Sequence, residues 1–116
     1  MKMLMNRFSA YETDPQEGRF ELRRLAKEVY RYADPETGLV DGAIFAFTYG
    51  TNPEVFVLLE CQETSAGKRE WIYGCIPSSS NRSVVILDGK EVWSKPLTGL
   101  AKTQTPYASF TERIAD

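Results

Sequence analysis

Between residues 40 and 88 the chain reads as short apolar runs divided by turn residues. Residues 40–49 and 54–62 are dense in β-branched and aromatic side chains and flank Gly50-Thr51-Asn52-Pro53, a hairpin loop. Further strands are expected at 69–77 and 82–88, with a short one near Val92-Trp93 after a Gly89-Lys90 turn. Upstream, Leu4, Phe8 and Tyr11 fall at helical spacing and predict a short amphipathic helix over residues 2–12. Residues 20–32 suit helix or strand and are read as two short strands around a break near Lys27, before the turn Asp34-Pro35-Glu36-Thr37-Gly38. Pro96, Gly99 and Pro106 make the tail 95–116 irregular, with a closing helical turn at 109–113. Short connections between strands leave no room for crossover helices and favour antiparallel pairing. The expected fold is α+β: an antiparallel β-meander of five to six strands with one N-terminal helix packed on the sheet.

Pairing each hairpin symmetrically about its loop sets Phe45 opposite Leu58, Leu58 opposite Tyr73, and Tyr73 opposite Ile86. One face then carries Phe45, Phe47, Phe56, Leu58, Trp71 and Tyr73. The other carries Ile44, Val55, Val57, Leu59, Ile72 and Val85. Both faces are apolar, so neither is expected to lie fully open to water. A slip of one residue in any hairpin exchanges the two sets.

With 116 residues the chain suits a single domain over 1–116, either whole or a module of a longer chain. A formal charge of -2 argues against a nucleic-acid partner held by general electrostatics. The chain has no histidine, which excludes Ser-His-Asp and Cys-His catalysis, histidine metal ligands and histidine pH switches. Its 2 cysteines, Cys61 and Cys75, are too few for a disulfide scaffold or a four-cysteine zinc site, and the register above separates them onto opposite faces as free thiols. No apolar run is long enough to span a membrane, and the N-terminus lacks the apolar core of a signal peptide. The chain as written reads as cytoplasmic, and as exported if excised from a longer precursor.

The same register sends Asp41, Glu60 and Asp88 to one end of the aromatic face, with Trp71 between the last two. Paired carboxylates beside an aromatic wall are what sugar hydrolysis or divalent-metal binding requires. The competing reading is of strand-end charges balanced by Arg31 or a lysine. Ser65-Ala66-Gly67-Lys68 matches a Ser-x-x-Lys pattern but lacks its partner motifs and reads as a hairpin loop. Arg19, Arg23, Arg24, Lys27 and Arg31 crowd one segment, whereas residues 32–67 hold six acids and no base. The basic segment is expected to pair with the acidic half of its own sheet.

The runs Leu22-Arg23-Arg24-Leu25-Ala26-Lys27-Glu28-Val29-Tyr30-Arg31-Tyr32, Val40-Asp41-Gly42-Ala43-Ile44-Phe45-Ala46-Phe47, Gly50-Thr51-Asn52-Pro53-Glu54-Val55 and Glu91-Val92-Trp93-Ser94 resemble a family of uncharacterised proteins from planctomycete bacteria. The resemblance spans roughly residues 4–96 and implies no activity, cofactor or catalytic residue. The expected function is a non-enzymatic binding or protein-interaction domain without cofactor or metal. Its partner would be a protein or small molecule, neither nucleic acid nor membrane, and surplus apolar sheet predicts a homodimer. The alternative is a carboxylate-based hydrolase or divalent-metal-dependent enzyme using Asp41, Glu60 and Asp88.

Overall fold

The computed structural model describes residues 1–97 and 112–114. One helical turn, α1 (Lys2–Met5), precedes β1 (Phe8–Asp14), β2 (Gly18–Glu21), β3 (Arg23–Arg24) and β4 (Tyr30–Asp34). A short 3-10 turn at Pro35–Thr37 leads to β5 (Leu39–Tyr49), β6 (Asn52–Glu63), β7 (Arg69–Pro77), β8 (Arg82–Leu87), β9 (Lys90–Lys95) and β10 (Glu112–Arg113). The strands form two antiparallel sheets: a small one ordered β2-β1-β8-β9, and a large one ordered β10-β7-β6-β5-β3 with β4 also on β5. No helix among the described residues is long and apolar enough to cross a membrane.

The antiparallel reading stands, and the meander holds for β5-β6-β7. It fails after β7. The chain crosses to the small sheet, where β8 pairs with β1 and β9, so Tyr73 never meets Ile86. The second sheet answers the problem the two apolar faces posed, because it covers one of them. Phe8, Ala10, Val85, Leu87 and Trp93 from the small sheet share a core with Phe45, Phe47, Val55, Val57, Leu59, Tyr73 and Cys75 from the large one. Phe8 meets Tyr73 edge to face at 5.4 Å between ring centroids.

The expected helix over residues 2–12 shrinks to α1, whose Met5 is fully buried in that core. Residues 8–14 are a strand instead. Phe8, Ala10 and Glu12 alternate inward and are buried, and the backbone is held by β2 on one side and β8 on the other. Sheet pairing there outweighs a helical spacing of only three residues. The break near Lys27 is real: β3 and β4 both line β5, and Leu25 and Val29 donate their amides to the Ala46 and Ile44 carbonyls between them. Of the closing helical turn, residues 109–111 lie outside the described residues, and Glu112–Arg113 form β10 against β7. The irregular tail is described only at Pro96, Leu97 and residues 112–114.

The expected register is off by one. The β5–β6 turn is the pair Gly50-Thr51, with Tyr49 opposite Asn52, and Gly50 takes the positive φ of 63° that such a tight turn needs. A bulge then passes over Glu54, so Thr48 faces Pro53 while Phe47 faces Val55. Phe45 therefore faces Val57, and Tyr73 faces Leu59. Side chains of β6 alternate between buried Val55, Val57, Leu59 and Cys61 and half-exposed Phe56, Leu58, Glu60 and Gln62. Both cysteines are buried and free, on one face rather than two. Four residues of strand part them, roughly 13 Å and far beyond disulfide reach.

Candidate functional site

The register decides where each candidate residue goes. Asp41 faces Cys61 and shares the core-side alternation, whereas Glu60 faces Gly42 and points the other way. Trp71 faces Cys61 and packs against the core, again opposite Glu60. Asp88 belongs to the small sheet, in the tight β8–β9 turn, where its φ of 54° and the following Gly89 suit an Asp-Gly hairpin. The expected constellation of Asp41, Glu60, Trp71 and Asp88 is therefore dispersed over both faces of one sheet and the rim of the other.

Each carboxylate has its own partner. The Arg31 guanidinium donates to both Asp41 oxygens at 2.8 and 2.5 Å, which holds that carboxyl below its ordinary range. This is the charge balance weighed against a site. Arg7 grips Asp88 in the same forked way at 2.8 and 2.5 Å, again lowering the carboxyl. Glu60 accepts from the Tyr32 hydroxyl at 2.7 Å and the Gln62 amide at 3.1 Å. Among the described residues no three His, Cys, Asp or Glu side chains gather as a metal site requires.

Two other places emerge. One is the outer face of the large sheet. Ile44, Phe56, Leu58, Ile72 and Ile76 are half-exposed there and lie outside the core cluster. Ala46 and Gly74 lie between them on the same face and are themselves buried, so the centre is uncharged and covered by its neighbours. Strand spacing makes this patch about 14 Å by 20 Å. One end is acidic and aromatic: Tyr32 lies over Gly42, Tyr30 stacks on Tyr32 at 5.9 Å, and Glu60, Gln62 and Glu70 sit alongside. Burial and the Glu60 hydrogen bond both raise the Tyr32 phenol well above its ordinary pKa. At the other end, Arg23 is exposed opposite Thr48.

The second place is inside the sandwich. Across β1, β8 and β9, Glu12, Ser83 and Lys95 form a polar row facing the large sheet. Glu12 is only 1% exposed and accepts from the Ser83 hydroxyl at 3.3 Å and the Asn81 amide at 3.5 Å. From β6, the Glu54 carboxyl reaches Glu12, and Ser79 donates to it. Burial first, then the bond to Glu12, pushes Glu54 up to about 7.

Sequence reasoning missed this pair because it assigned Glu12 to the end of a helix and Glu54 to an ordinary strand start. The signal was the alternation Phe8, Ala10, Glu12, which puts an acid in line with two core residues. No family model, curated protein or solved structure matches the chain.

Proposed function

We propose that the protein is a non-enzymatic interaction module that docks through the outer face of its large sheet, with a second copy of the chain as partner. The observation that carries this reading is the half-exposed group Ile44, Phe56, Leu58, Ile72 and Ile76, which takes no part in the core. Patches of a few hundred Å² are ordinary on monomers but often functional, and the reading rests on this one being gathered on a single sheet face outside the core.

Charge placement favours a second copy. Glu60 and Glu70 lie at one end of the patch and Arg23 at the other. A two-fold axis through the centre lays the acidic end of each copy over the basic end of its partner, while apolar centre meets apolar centre. Tyr30, exposed at the acidic rim, adds a rigid aromatic surface suited to contact. The proposed kinship with planctomycete proteins assigns no activity, so the reading rests on the face itself.

Light scattering over a dilution series tests it. The wild type should show a dimer mass at tens of micromolar that falls towards the monomer on dilution. Arg23→Glu should loosen the dimer about tenfold, the loss of roughly one favourable charge contact per copy. A monomer at all concentrations would refute the proposal.

A further inference from the structure

Glu12 and Glu54 come from different sheets and meet at one end of the sandwich core. Glu12 is almost wholly buried, yet no ion pair among the described residues includes it. Glu54 is partly buried beside it, and that burial together with the neighbouring carboxylate makes the Glu54 carboxyl hold its proton above the ordinary glutamate range. Among the described residues, the pair's neighbours are neutral apart from one lysine. Ser79 and Asn81 reach in from the β7–β8 connection and Ser83 from β8. Lys95 on β9 senses the Glu12 charge, but its ammonium donates to the Pro96 carbonyl at 3.1 Å, and burial lowers its pKa. Among the described residues no ion pair seats a positive charge on either carboxylate.

We propose that Glu12 and Glu54 form a proton-operated latch between the two sheets, closed while the Glu54 carboxyl is protonated against Glu12 and loosened when Glu54 ionises. The backbone around it suits such a role. Glu54 sits at the β6 bulge, where the β5–β6 ladder is already interrupted, and its carbonyl accepts the Ser78 amide from the segment that crosses between sheets. Loosening the pair therefore frees β1, the start of β6 and the crossover together.

The sign of the pH dependence follows from the raised Glu54 carboxyl. The folded protein keeps a proton that the unfolded chain releases near its ordinary glutamate value. The latch's stabilisation is fully present below that value and is lost as pH rises through about 7. Asp41 and Asp88 are shifted downward and titrate on the acid side of this window. The chain has no histidine to titrate within it.

Thermal melts from pH 5.5 to 8 provide the test, on the wild type and on Glu54→Gln, whose amide donates to Glu12 at every pH. The wild type should lose about 5 °C or more across the range. Glu54→Gln should hold a nearly constant melting temperature and exceed the wild type at pH 8. Hydrogen exchange at residues 12–14, 54–55 and 78–83 should rise by more than the intrinsic chemical rate does in the wild type at pH 8, and not in the variant. Should Glu54→Gln fail to fold, Glu12→Gln must erase the slope in its place. A flat wild-type profile, or a slope unchanged by both substitutions, would overturn the latch.

Discussion

Gly42 and Tyr32 are a matched pair across β5 and β4. A Cβ on residue 42 would come within 2.6 Å of the Tyr32 ring, so only glycine lets the ring lie flat and reach Glu60. Gly42→Ala should push the ring outward, cost about 1–2 kcal/mol, and return the phenol towards its ordinary pKa near 10. Ultraviolet titration and chemical denaturation read the two effects separately. At this scale the sequence was legible where partners lie close along a hairpin: Arg31 and Asp41 flank the turn into β5 and do pair. It was illegible for Asp88, whose partner Arg7 lies 81 positions away on a segment expected to be helical.

At the scale of elements, strand positions from 39 to 95 were readable because β-branched and aromatic runs alternate with turn residues. Their registers were not. A two-residue turn followed by a bulge at Glu54 differs by one position from a symmetric loop, and that step exchanges the faces. The consequence was large: Val57 and Leu59 belong to the core, while Phe56 and Leu58 face outward. Residues 8–14 carry the other lesson. Their helical spacing was a local signal, and partners on both sides of the strand overrode it. Because Phe8 ties β1 to Tyr73 of the opposite sheet, Phe8→Ala should destabilise the protein by about 3–4 kcal/mol. Urea unfolding of the two proteins measures this. A loss below about 1 kcal/mol would mean the sheets are not joined through that ring.

For the whole molecule, the sequence showed that a single sheet with two apolar faces is incomplete. It did not show that the chain itself supplies the cover for one face, because β1 and β8 are far apart in sequence. Among the described residues, that sandwich leaves the partly exposed outer face of the large sheet as the surplus, and the proposed role in self-association rests there. Val57 and Leu58 are adjacent in the chain and opposite in fate, one fully buried and one half-exposed. Sedimentation equilibrium on Val57→Asp and Leu58→Asp, beside the wild type and with circular dichroism for folding, tests the account most directly. A charge at 57 should abolish the fold, since it buries an unpaired carboxylate in the core. A charge at 58 should leave the fold intact and turn a dimer into a monomer. A Leu58→Asp protein that folds and still sediments as the wild-type dimer would contradict the account.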